Sequence, residues 1–387
     1  MLTEKDVFAI SKLHPPVLGD SPSVTVELPP EDSTPFVCAP DSLNAQRFLI
    51  PPRVLMSAKS YNFFAYLGSQ FVDRTGTIVD PRVPNIVVDQ AIPNVAVDPG
   101  SFESVTDAVA NATIQKAAVA NKPIAVLYSG GLDSMCVASA LLKAGAHITV
   151  VGSQTSIAEC PSFYNGVLCN NGQVTLAIGN PILFVRQNRD DYLWVTGECG
   201  AHIMGTVNWK KFGGGLNETT QSILSSSAPL YGIPDQIRAD LLPVIDACPF
   251  PLKTNYDYQW WVIFALKWQF VAFRFQMWSG GLCPHFVNFF MDDSYQQWAI
   301  CNDVTVKCPN YEWKNYKMPM RDYIYAFSAD RAAASTPKRY SMELTYPNLQ
   351  GLHGTYVTAD PRKVGFVDEQ TYNQVMSAPN DIRVSSF

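Results

Sequence analysis

Short apolar runs separated by turns dominate the first hundred residues, and longer helical periods take over after Ser101. Stretches such as Ser23-Val24-Thr25-Val26-Glu27-Leu28 and Asn85-Ile86-Val87-Val88-Asp89 lie between prolines, which predicts a β-rich, loop-heavy region over residues 1–105. Ser101-Phe102-Glu103-Ser104-Val105 through Val119 then reads as a helix, with Ser101 or Ser104 as N-cap. It leads into Ile124-Ala125-Val126-Leu127-Tyr128, a continuous apolar run that predicts a buried strand. Met135 to Leu142 returns to helical spacing, and Ile148-Thr149-Val150-Val151-Gly152 is a second strand. Ile182-Leu183-Phe184-Val185 and Tyr192-Leu193-Trp194-Val195 are further β candidates. Strands alternating with helices predict an α/β fold: a parallel sheet flanked by helices, with ligands at the carboxyl ends of the strands. Helical patterns dominate from 217 onward, at 217–247 and in the aromatic stretch 258–278, and residues 336–387 read as a loop-rich tail. The expected organisation is therefore a β-rich region 1–105, a sheet core 106–216, a mainly helical part 217–335 and the tail.

Composition narrows the function classes. With 387 residues, 47% of them hydrophobic, the chain is long enough for two domains with cores of their own. A net charge of −6 argues against an electrostatic grip on nucleic acid or anionic membrane. The most apolar long segment, Trp260 to Trp278, is interrupted by Lys267, Gln269, Arg274 and Gln276, so it predicts a buried helix rather than a membrane span. Met1-Leu2-Thr3-Glu4-Lys5-Asp6 carries charge where a secretion signal needs an apolar core, and the expected location is cytoplasmic. Nine cysteines form no C-x-x-C pair, which predicts neither a zinc site nor a disulfide framework. Cys136, inside the apolar helix, is expected in the core.

The candidate chemistry begins where the first buried strand ends. Ser129-Gly130-Gly131-Leu132-Asp133-Ser134 is a tight glycine turn between that strand and a helix. Such a turn aims backbone N–H groups and the positive end of a helix at one point, which suits a phosphate. Ser129 and Ser134 add hydroxyls, and Asp133 offers a carboxylate to a cation beside the phosphates. A Walker loop is excluded, since no Gly-Lys-Ser/Thr follows the glycines. Trp194-Val195-Thr196-Gly197-Glu198-Cys199-Gly200-Ala201-His202 repeats the pattern, with glycines flanking the acid Glu198 at a strand end. Gly197 and Gly200 permit close backbone approach, and Glu198 can meet a cation, an amine or a proton.

The first string resembles the S-G-G-L-D-S pyrophosphate loop of the ATP pyrophosphatase (PP-loop) superfamily, whose fold is Rossmann-like and whose members split ATP into AMP and pyrophosphate. With the second, the chain is similar to asparagine synthetases and the related β-lactam synthetases, which pair that loop with a downstream G-E-G-x-D-E segment. The match holds at Gly197, Glu198 and Gly200 and departs at Ala201, where the family has an aspartate that helps hold magnesium. Further on, Phe289-Phe290-Met291-Asp292 resembles the family's P-F-L-D segment without its proline, and Lys317 with Arg321 resembles its K-x-x-x-R, Lys314 being the competing lysine. The similarity spans roughly 105–330, and residues 1–105 stand where the family carries its glutaminase domain. Leu2 occupies the place of that domain's nucleophilic cysteine, so no glutaminase activity is expected.

What the resemblance implies is an amide-forming ligase that uses ATP and magnesium. Residues 129–134 and Gly197 would hold the phosphates, Gly152 and Ser153 the adenosine, and Asp133 the magnesium. Glu198 would handle the nucleophile's proton, with Lys317 and Arg321 supplying positive charge. The substrates would be a small-molecule carboxylate and either ammonia or an amine. No nucleic acid and no membrane are expected as partners, whereas a second copy of the chain or a separate ammonia-supplying partner is. Two other readings stay open: a nucleobase-modifying ATP pyrophosphatase, and a non-catalytic protein that keeps the fold for binding or assembly.

Overall fold

A computed structural model describes residues 74–75, 91–95, 98–205, 243–268, 283, 285–335, 356–357 and 364–365. Nearly all of the expected β-rich region lies outside the described residues, as do residues 206–216 of the expected sheet core and 217–242 of the helical part.

The centre of the fold is a five-stranded, all-parallel sheet. Its strands are β1 (Ile124–Leu127), β2 (Ile148–Gly152), β3 (Val174–Ile178), β4 (Leu193–Thr196) and β5 (Phe286–Asn288). They lie in the order β3-β2-β1-β4-β5. The register sets Ile124 opposite both Ile148 and Leu193, and Thr196 opposite Asn288. This is the α/β parallel sheet flanked by helices that the alternating pattern predicts, and it is Rossmann-like, as the resemblance implies.

Alternation along β1 shows why the sheet is covered on both faces. Ile124, Val126 and Tyr128 pack into the larger core, while Ala125 and Leu127 pack with Val151 and Trp194 into a smaller one on the opposite face. A strand buried on both sides must be apolar throughout, which is why β1 reads as an unbroken apolar run. Helix α1 (Phe102–Ala120) starts at Ser101, whose side chain accepts a hydrogen bond from the Ser104 N–H. Helix α2 (Leu132–Lys143) follows the glycine turn and is buried from Ser134 to Leu142, which fixes the loop at its start.

Two expectations need correcting. Ile182-Leu183-Phe184-Val185 is not a strand. It lies in helix α4 (Pro181–Gln187), which follows helix α3 (Gln154–Glu159) and β3. Asn180 caps α4 by accepting from the Leu183 N–H, and Pro181 sits in its first turn, so local capping outweighs the β propensity of Ile and Val. Helix α2 begins at Leu132, not Met135, because Gly131 serves as its N-cap.

Beyond β4, helix α5 (Gly200–Met204) and the aromatic helix α6 (Asn255–Val262), continued by a π-helical turn Ile263–Lys267, carry the chain toward β5. Within the Trp260–Trp278 segment, residues 260–266 and Trp268 are buried, as expected. Helices α7 (Asp293–Cys301), α8 (Val304–Lys307), α9 (Met318–Ser328) and α10 (Arg331–Ser335) follow β5. Among the described residues, no helix is long and apolar enough to cross a membrane. Arg74, from the N-terminal region, is buried in this helical part. It donates to the carbonyls of Phe264 (2.8 Å) and Ala91 (3.1 Å) and to Gln296 Oε1 (2.5 Å).

Candidate functional site

The strand order reverses around β1, whose neighbours β2 and β4 lead away in opposite directions. Loops at the carboxyl ends of β1 and β4 therefore open a crevice, the usual ligand position in such sheets. The Ser129–Ser134 loop follows β1, and the Gly197–Gly200 turn follows β4.

Three glycines of these loops, Gly130, Gly197 and Gly200, each answer a specific crowding. Gly130 has φ +74°, and a Cβ there would lie 2.2 Å from the Ser156 carbonyl oxygen on α3. Ser134, at the start of α2, ties the loop together. Its hydroxyl accepts from the Ser129 N–H (3.2 Å) and donates to the Gly131 carbonyl (3.0 Å), so the Ser129 hydroxyl, 3.2 Å away, is the donor of that pair. Ser134 thus shapes the loop. Gly131 supplies no side-chain cap, leaving backbone N–H groups of the first turn without that partner.

Asp133 lies at the second position of α2, and the turn after β4 closes on it. A Cβ on Gly197 would sit 2.9 Å from the Asp133 carbonyl carbon, and one on Gly200 would sit 2.3 Å from its Oδ1. Both glycines make room for this one residue. Cys199, between them, takes a left-handed conformation (φ 68°) as the N-cap of α5. Lys317 reaches the same carboxylate from the start of α9, with Nζ 2.5 Å from Oδ1. Its side chain is 6% exposed, against 29% for Asp133.

Of the neighbouring lysines, Lys314 pairs with Glu312 at the surface, and Lys307 is buried elsewhere, donating to the Ala299 carbonyl. Lys317 is the one that reaches Asp133. Arg321 lies one turn into α9. Its Nε donates to the Tyr316 carbonyl (2.7 Å) and its NH1 to that of Ala334 (2.6 Å), so it braces the segment carrying Lys317. Burial lowers its pKa from the ordinary value.

Gly152 closes on the Tyr128 carbonyl, 3.1 Å from where its Cβ would be. The Ser153 hydroxyl caps α3, accepting from the Ser156 N–H. Glu198 is half-buried, and its N–H donates to Thr196 Oγ1 (3.4 Å). Asp292 caps α7 through the Ser294 N–H.

Two residues that sequence reasoning missed tie together the segments around this site. Thr196 donates to Asn288 Oδ1 at 2.5 Å, joining the ends of β4 and β5, and the only sequence signal is a polar residue ending each apolar strand. Tyr316 donates to the Gly205 carbonyl (2.8 Å) and lies beside the Lys317 ammonium. Burial, then the Asp133 charge, pushes its phenol well above the usual range. Cys136, one turn below Asp133 on α2, is fully buried, and burial holds its thiol protonated.

Magnesium binds proteins through one or two carboxylates plus phosphate and water oxygens. The carboxylate at this loop already faces an ammonium, and position 201 brings only a methyl group. His202 is buried against Trp268, with ring centroids 5.9 Å apart. Among the described residues, no three His, Cys, Asp or Glu side chains gather as a metal site. With Asp133 Oδ1 taken by the Lys317 ammonium, the donor set does not hold a magnesium ion on protein side chains alone. It suits an anion: a turn of backbone N–H groups, a helix N-terminus and a fixed ammonium. No protein-family model and no curated protein matches the chain, so the reading of this site rests on its own residues.

Proposed function

We propose that this chain is an ATP-dependent amide-forming ligase, similar in chemistry to asparagine synthetases. One observation carries the reading. Asp133 and Lys317, 184 residues apart, meet at the N-terminus of α2, against the glycine turn that follows β4. Three separate motifs of the resemblance thus supply one cluster at the crevice between β1 and β4.

In this reading the backbone of residues 129–134 binds the phosphates of ATP, and Gly152 with Ser153 lines the adenosine side. A carboxylate substrate attacks the α-phosphorus. The bond to the bridging oxygen breaks, pyrophosphate leaves, and an acyl-adenylate forms. The Lys317 ammonium stabilises charge building on the phosphate oxygens, an electrostatic contribution that a fixed, buried cation makes without reorganisation. Ammonia or an amine then attacks the acyl carbon, AMP departs, and Glu198 takes the surplus proton. Arg321 acts by positioning Lys317. The enzyme would work in the cytoplasm on ammonia supplied free or by a partner.

The test is to incubate the full chain with ATP, a panel of carboxylates, and ammonia or amines in magnesium-containing buffer, reading products by ³¹P NMR. AMP and pyrophosphate appearing in equal amounts with one carboxylate supports the ligase. ADP with orthophosphate overturns it in favour of γ-phosphoryl chemistry. A folded chain that binds no ATP leaves a binding or assembly role.

A further inference from the structure

The contact between Lys317 and Asp133 bears on how the site meets the charge of its ligand. We infer that the Lys317 ammonium is the built-in cation of this site, so that nucleotide phosphate is held without a divalent metal bound to the protein. The inference rests on the nucleotide reading above and departs from the magnesium role that the sequence resemblance implies for Asp133.

Three observations carry it. The Lys317 side chain is 6% exposed and Nζ stands 2.5 Å from Asp133 Oδ1, so the ammonium is held in place and largely removed from water, while the carboxylate keeps a partly open side. Its backbone is pinned as well. Lys317 takes a left-handed conformation (φ 59°) immediately before α9, and Arg321 ties the preceding Tyr316 carbonyl to that of Ala334. Finally, Ala201 and the buried His202 add no oxygen ligand beside Asp133, which leaves Glu198 as the one other carboxylate of that turn.

A buried ammonium is costly without its counter-charge. A divalent cation placed on Asp133 would take that counter-charge away and set a second positive centre against Lys317. The two cations therefore compete for one carboxylate, and the one attached to the chain is already in place. An ammonium carries three N–H donors, so a single Nζ can bridge a carboxylate and a phosphate oxygen. That is the bridging duty a metal performs in comparable sites, done here by a side chain.

The experiment is calorimetric titration of ATP into the full chain, once in excess EDTA and once in excess magnesium, with thermal melting as a folding control. Dissociation constants that agree within about threefold are expected. ATP binding tighter with magnesium by more than that overturns the inference. Absence of binding in both media overturns the nucleotide reading itself, so the two failures are distinguishable. In Lys317→Met the carboxylate loses its ammonium, and ATP affinity should fall in EDTA and recover when magnesium is added. A folded Lys317→Met protein that binds ATP as the wild type does in EDTA also overturns the inference.

Discussion

Gly200 makes room for the carboxylate of Asp133: a Cβ at residue 200 would lie 2.3 Å from Oδ1 and 2.7 Å from Cγ. Those atoms end a side chain and can swing, but only by leaving Lys317. At Gly197 the nearest atoms are backbone, the Asp133 carbonyl carbon at 2.9 Å and the Ser134 nitrogen at 3.0 Å, and backbone at the start of α2 cannot swing. Gly197→Ala should therefore cost more stability, about 1–3 kcal/mol as for other overpacked sites. Gly200→Ala should melt closer to wild type yet lose more ATP affinity. Gly131→Ala is the control. With φ −82° and its nearest neighbour at 3.5 Å, it should leave the melting temperature nearly unchanged. Thermal melts and ATP titrations of the three variants give the ranking, and equal behaviour of Gly197→Ala and Gly131→Ala would refute it.

Gly130 and Gly145 separate backbone strain from collision. Both have positive φ, +74° and +84°, but a Cβ at Gly145 meets nothing within 4 Å whereas one at Gly130 meets the Ser156 carbonyl at 2.2 Å. Gly145→Ala should cost only the left-handed penalty, roughly 1–2 kcal/mol. Gly130→Ala should cost more, because the loop must lift off α3, and ATP binding should go with it. Denaturant unfolding of both variants checks the order, and similar losses would mean that the loop adjusts freely.

Much of the sheet and half of the site were legible in the sequence, for physical reasons that particular residues make plain. Strands β1, β2 and β4 are buried on both faces and announce themselves as apolar runs. β3 escaped because it is an edge strand with Thr175 and Leu176 exposed, and β5 because it is three residues long. The Asn180-Pro181 start of α4 was a readable helix signal, hidden by the apolar Ile182–Val185 that follows. In the site, Gly197 and Gly200 could be recognised as places of close approach, but not that Asp133 is what approaches. The approach of Lys317 to Asp133 spans 184 residues, a separation at which no periodicity carries information. Only the order of the motifs pointed to it. The insertion of Arg74 among Phe264 and Trp268 had no local signal at all.

Arg321 distinguishes positioning from direct catalysis. Its guanidinium serves two backbone carbonyls, so Arg321→Met leaves both without that donor in a buried place, at a cost of about 1–3 kcal/mol. Arg321→Lys should recover little, since an ammonium cannot span two carbonyls as the planar fork does. Both variants should lower ATP affinity in step with their loss of melting temperature. A residue touching substrate would instead lower turnover at unchanged stability, and that result would return Arg321 to the catalytic set.

Lys307 predicts a pH dependence of its own. Its Nζ donates to the Ala299 carbonyl at 2.6 Å and lies 3.7 Å from the centre of the Trp260 ring. Burial lowers its pKa from 10.5 to about 7, with Asp257 and Asp303 opposing the shift. The folded pKa lies below the unfolded one, so between those values the unfolded chain binds more protons. Stability then rises with pH, by up to about 1.4 kcal/mol per pH unit from this one group, and levels off below the folded pKa. Cysteines and tyrosines raised by burial act in the opposite direction at higher pH, so the useful window runs from about pH 7 to about pH 8.5. Urea unfolding across that window should show the midpoint rising for the wild type. In Lys307→Met the rise should be smaller, whatever the absolute stability of the variant. Parallel profiles for the two proteins would mean that Lys307 keeps its charge in the core, held there by the Trp260 face and its acidic neighbours.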